Sequence, residues 1–136
     1  MIKKLFLGTI IIIIFLASLI TSFDSPECTT TELVDTSISV ERSYKKVIGF
    51  NTESDSLKFG KVSPSSSVKR SINVQYNRDA NVIISAEGDF ARWIDISPNS
   101  FFLQGGSNKE IIFTALVPKN SMSGDFFGKV RFCFKE

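Results

Sequence analysis

The sequence predicts an all-β protein: an antiparallel sandwich of seven or eight short strands behind one N-terminal hydrophobic helix. Three observations carry this. Apolar residues recur with period two between turn clusters, the mark of half-buried strands. Thirteen Phe residues stand in a chain of 136, and aromatic side chains suit a pleated, half-buried surface. No long stretch after residue 23 shows helical periodicity.

The first 23 residues are read as a targeting or anchoring segment, apart from the fold. Lys3 and Lys4 precede an uncharged run from Leu5 to Ile20. Positive charge ahead of such a run predicts a cytoplasmic N-terminus and an exported C-terminal part. Leu5 to Phe23 spans roughly 28 Å as a helix at ~1.5 Å per residue, close to the ~30 Å hydrocarbon core. The alternatives are a cleaved signal peptide, giving a secreted domain, and a retained signal anchor. Small residues are poorly placed for cleavage: Leu19 follows Ala17 where a small residue is needed, and Ile20-Thr21-Ser22 begins with a branched one. The retained anchor is the expectation, with residues 5–23 in the cell membrane as a single pass. Cys28 follows Ser25-Pro26-Glu27, which is not the small-residue setting of a lipid-modified cysteine.

Residues 24–56 read as an extension that contributes an added strand. Ile38, Val40, Tyr44, Ile48 and Phe50 share one parity, as one long strand or two consecutive ones. Arg42 and Lys46 interrupt that apolar face, which places the segment at a sheet edge. Residues 57–136 read as the sandwich core. Leu57, Phe59 and Val62 form a short strand closed by Ser63-Pro64-Ser65-Ser66-Ser67. Val68, Ile72, Val74 and Tyr76 alternate with Lys69, Ser71, Asn73 and Gln75. After the Asn77 to Asn81 turn, Val82, Ile84 and Ala86 make the return strand to Gly88. Phe90, Trp93, Ile94 and Ile96 follow, and Phe101 and Leu103 form a short strand before Gly105-Gly106. Ile111, Phe113, Ala115 and Val117 alternate up to Pro118, which ends that strand because it has no N–H to donate. Phe126, Gly128, Val130, Phe132 and Phe134 form the last one.

Several of these segments resemble a known pattern. Leu57-x-Phe59-Gly60-x-Val62-Ser63-Pro64 resembles the opening of Ig-like domains repeated in archaeal and bacterial cell-surface proteins. The likeness continues through Val74-x-Tyr76-Asn77 and Trp93-Ile94-x-x-Ser97-Pro98-x-Ser100-Phe101-x-Leu103. It runs on through Gly105-Gly106, Lys109-Glu110-Ile111 and Val117-Pro118 to Gly124-x-Phe126-x-Gly128-x-Val130. Related modules occur in cilium- and centrosome-associated proteins of eukaryotes. The resemblance covers about Leu57 to Phe134 and implies an Ig-like sandwich that binds or supports rather than catalyses.

Composition narrows the chemistry. Histidine is absent, which removes the commonest general base and metal ligand and any Ser-His-Asp or Cys-His arrangement. Setting aside Lys3 and Lys4 leaves 14 of the 16 Lys and Arg, matching the 14 Asp and Glu. A neutral domain offers no field for nucleic acid. Asp89, Asp95 and Asp125 lack the ligand spacing of a calcium loop and read as solvated acids, as does Glu87. Trp93 beside Arg92 suggests sugar stacking less than a lid on the core. No metal, cofactor or catalytic residue is expected.

Cys28 and Cys133 are the only cysteines. Cys133 shares the outward parity of Lys129, Arg131 and Lys135, and an outward cysteine on an exported domain favours a bond. Pairing with Cys28 is expected, with an intermolecular bond or free thiols as the alternatives. Ile83, Phe102, Ile112, Leu116 and Phe127 are apolar but out of phase with the core. They are read either as covered by the N-terminal segment 34–51 or the loops, or as scattered surface residues, or as an interaction surface for a protein, the cell envelope or a second copy. In an Ig-like sandwich strand 82–88 pairs with strand 125–134, which sets Ile83 beside Phe127, while Ile112 and Leu116 lie on the other sheet. The functional expectation is a tethered module for protein contact, adhesion or envelope structure. The alternative is an accessory or stator subunit of a cell-surface filament machine.

Overall fold

The computed structural model describes residues 27–42 and 56–136. Among these, eight strands form two sheets: β1 (Thr30–Val40), β2 (Ser56–Val62), β3 (Ser67–Gln75), β4 (Ala80–Gly88), β5 (Ile94–Ser97), β6 (Ser100–Leu103), β7 (Asn108–Leu116) and β8 (Gly124–Lys135). One 3-10 turn, Ala91–Trp93, precedes β5. A five-stranded sheet has the order β2-β1-β8-β4-β6 and a three-stranded sheet the order β3-β7-β5. The protein is a two-sheet all-β sandwich. The expected hydrophobic helix of residues 1–23 lies outside the described residues, as do Tyr44, Lys46, Ile48 and Phe50. Among the described residues no helix is long and apolar enough to cross a membrane.

Two expectations are corrected at β1. This strand is not at an edge. It pairs antiparallel with β8 along its whole length, from Thr30 opposite Phe134 to Val40 opposite Gly124, and with β2 on its other side. Thr36, Ile38 and Val40 point inward and are buried, while Arg42, whose charge suggested an edge, lies past the strand's end. Nor is the sandwich wholly antiparallel, since β1 and β2 run parallel. Parallel neighbours need a connection of a dozen or more residues, and residues 41–55 supply one.

The in-phase apolar residues fill the space between the sheets. Phe59, Phe90, Phe113 and Phe134 are almost wholly buried, with Ile38, Leu57, Ile111 and Val130 beside them. Edge-to-face contacts, favoured by the ring quadrupole, join Phe59 to Phe90 at 6.1 Å and Phe113 to Phe132 at 6.3 Å. Trp93 packs on Phe90 and Phe126 at 6.2 and 4.9 Å and closes one end of the core.

Polar groups pin the margins. The buried Thr36 hydroxyl donates to the Leu57 carbonyl at 2.9 Å. Arg70 has core parity on edge strand β3, yet its guanidinium reaches across to the Lys58 and Phe59 carbonyls of β2, at 3.1 and 3.3 Å. It thereby links the two sheets along their open side. At the other end Tyr76 stacks on Phe134 at 4.6 Å and its hydroxyl donates to Glu136 at 2.6 Å. Arg78 pairs with the same carboxylate at 2.7 Å.

The outer face of the five-stranded sheet

A strand's side chains alternate between faces, so the register sorts every outward residue. On β8 the outward set is Phe127, Lys129, Arg131, Cys133 and Lys135. Ser37, Asp35, Leu33 and Thr31 of β1 lie opposite the first four. Glu87, Ser85, Ile83 and Asn81 of β4 lie opposite the last four, on the far side of β8.

Cys28 and Cys133 form a disulfide, their Cα atoms 5.3 Å apart. The bond sits on this outer face and leaves Cys133 only 7% exposed. It joins the residues just before β1 to the end of β8, where Thr29 also donates its N–H to Phe134 at 2.8 Å.

Ile83, Phe102, Ile112, Leu116 and Phe127 are all solvent-exposed, Phe102 and Phe127 most of all at 62 and 63%. They do not form one surface. Ile112 and Leu116 lie on β7, on the outer side of the three-stranded sheet, with Ser71 and Ser67 opposite them on β3. The other three share the five-stranded face but occupy two places on it. β4 does pair with β8, yet Ile83 faces Cys133 rather than Phe127, which corrects the expected contact. Six residues of β8 separate those positions, about 20 Å at ~3.4 Å per residue. Phe102 is opposite Asn81, so it flanks Ile83 on the diagonal. Leu33, opposite Arg131 and 54% exposed, joins this corner. Alternation on β1 begins before any clear apolar run, so Leu33 carried no local signal.

Phe127 stands at the opposite corner. Its N–H donates to the Asp89 carboxylate at 3.4 Å and its carbonyl accepts from the Asp89 N–H at 3.0 Å. Asp89 is therefore a backbone clamp at the end of β4. Here Gly88 and Gly128 face each other so closely that a Cβ on Gly128 would meet the Glu87 carbonyl oxygen at 2.5 Å. An open groove of about 610 Å³ lies beside Phe127, walled by Asp35, Ser37, Lys58, Glu87 and Lys129. Its two carboxylates and two ammonium groups balance. Two ion pairs cross the face between the corners: Lys129 to Asp35 at 4.0 Å and Arg131 to Glu87 at 2.9 Å. Exposed pairs of this kind contribute little to stability, but they divide the face into two apolar corners with a charged band between.

Both cysteines are in the disulfide. Among the described residues no three His, Cys, Asp or Glu side chains gather in a way that could hold a metal ion. Asp95 and Asp125 are exposed and stand apart. No family model, curated protein or solved structure matches the chain.

Proposed function

We propose that this chain is a non-enzymatic, membrane-tethered Ig-like module that works outside the cytoplasm through protein contact, in adhesion or envelope structure. The strand order supports the Ig-like reading. In that fold one sheet holds strands A, B, E and D and the other C, F and G. The order β5-β7-β3 corresponds to D-E-B, and β4-β8 to C-F. β1 then occupies the place of G beside F, although it comes from the start of the chain. β2 and β6 depart from the pattern, β2 by joining this sheet beyond β1 and β6 by joining it beyond β4 although it follows the D-like strand. The tether rests on the uncharged run from Leu5 to Ile20 behind Lys3 and Lys4.

One observation carries the binding role. Phe127 is 63% exposed on a backbone that Asp89 clamps, beside a charge-balanced groove. A rigid exposed aromatic at the rim of a polar concavity is the kind of anchor that dominates protein interfaces. The test is affinity capture from solubilised membranes with the full chain and with Phe127→Thr. The unsubstituted chain should retain a partner that the folded variant loses. Equal capture by both removes Phe127 from the binding role. Recovery of filament components would assign the chain to a surface machine.

A further inference from the structure

The disulfide fixes where the N-terminal segment meets the domain. Cys28 is bonded to Cys133, which projects from the outer face of the five-stranded sheet and not from a tip of the sandwich. Four residues, Asp24 to Glu27, separate Phe23 from Cys28. Five steps of chain span at most about 18 Å at ~3.3–3.6 Å each. Phe23 is thus within that distance of Cys28 and, with the 5.3 Å between the two cysteine Cα atoms added, within about 23 Å of Cys133.

The surface around Cys133 mixes polar and apolar side chains: Thr31 faces it on β1 and Arg131 and Lys135 flank it along β8. Ile83 is its direct neighbour on β4. Leu33 lies one strand over on β1, beside Arg131. Phe102 is two strands away, about 12 Å from Cys133 at ~4.8 Å per strand and ~3.4 Å per residue. Leu33, Ile83 and Phe102 are 54, 39 and 62% exposed. Three large exposed apolar side chains, Leu33, Ile83 and Phe102, lie about the bond that ties Cys28, and with it the N-terminal segment, to the domain. Lys135 stands in the same corner, opposite Asn81, a placement suited to the headgroup layer. The second apolar corner, at Phe127, is about 20 Å farther along β8 and lies beyond the charged band.

We infer that the Leu33, Ile83 and Phe102 corner is a lipid-contacting foot that seats in the headgroup layer beside the tether, with Phe127 held clear of the bilayer. This rests on the reading of residues 5–23 as a retained membrane anchor. Exposed apolar patches mark such surfaces, and the short span from Phe23 to Cys28 selects the bilayer as the occupant of this patch. Seating would hold the sheet face inclined to the membrane, so that the Phe127 groove opens outward.

The test uses the full chain in phosphatidylcholine–phosphatidylglycerol liposomes that carry lipid with a shallow doxyl quencher. Tryptophan is placed at Phe102→Trp, at Leu33→Trp and at Phe127→Trp, with Trp93 as the common background. The added emission at residues 102 and 33 should be lost to the quencher, and that at residue 127 kept. If carbonate washing leaves the chain in the membrane but none of the three added tryptophans is quenched, the foot is refuted and the anchor stands. Equal quenching at all three also refutes it. Release of the chain by carbonate overturns the anchor and the foot together.

Discussion

At the residue scale, the least replaceable positions are those where the backbone or a buried hydroxyl has no room to change. Gly128 lies against the Glu87 carbonyl. Gly128→Ala forces the β4–β8 pair apart and should cost about 1–3 kcal/mol, read as a lower denaturant midpoint. Thr36→Val keeps the shape but removes the bond to the Leu57 carbonyl. With that acceptor left in the core, a loss of about 1–2 kcal/mol is expected from the same measurement. Lys61 behaves differently. Its hydrogen bond to Glu41 at 2.7 Å, and the charge behind it, raise its pKa above the ordinary 10.5. A raised folded value means the contribution is present below pH 10.5 and lost as pH climbs through the raised value. The pair is on the surface, so Lys61→Met should leave the neutral-pH midpoint almost unchanged. Inward residues such as Phe113 and Phe134 were legible from alternation alone. The role of Arg70 was not, because its parity says core while its bonds go to a strand in the other sheet. Only the approach of β2 to β3 makes sense of it.

At the element scale, most strands from β2 to β8 were legible because they carry their own alternation and end at Gly, Pro, Ser or Asn turns, whereas β5, four residues long behind a 3-10 turn, showed only as a run of apolar residues. The neighbours of a strand are another matter. Nothing within Thr30–Val40 states that it lies between β2 and β8, since pairing is settled by which open edges remain once the rest has closed. The same holds for the candidate surface. Its residues were identified by parity, but their division between two corners follows from a register that sets Ile83 opposite Cys133. β1 covers an edge of β8 that is twelve residues long. A chain beginning at Ser56 would leave that edge unpaired, and exposed edges template aggregation. It should elute as large species on size exclusion, where the chain retaining β1 is not driven to aggregate by this edge. The disulfide reinforces the same junction. Its cysteines are 105 residues apart, and on the chain-entropy account a loop of that length is worth about 4–5 kcal/mol. Replacing both cysteines with Ser should lower unfolding free energy by about 2–5 kcal/mol. Equal guanidinium midpoints with and without the bond would show that the β1–β8 ladder alone holds the ends together.

At the scale of the whole molecule, the sandwich presents its two large faces unequally. The three-stranded sheet offers Ile112 and Leu116 among polar and charged side chains, Ser67, Lys69, Ser71, Asp95 and Glu110. The five-stranded sheet carries the disulfide, both apolar corners and the groove. The features on which the proposed binding role rests are therefore concentrated on the face that β1 helps to build. One more consequence concerns time. Among the described strands β1 is the first to be synthesised and β8, its antiparallel partner, the last. The β4 ladder also waits for β8, so no partial chain can assemble the five-stranded sheet. Long-range pairing of this kind folds slowly and late. The five-stranded sheet stays open until β8 is free, and a chain released before Gly124 has nothing to join β1 to β4.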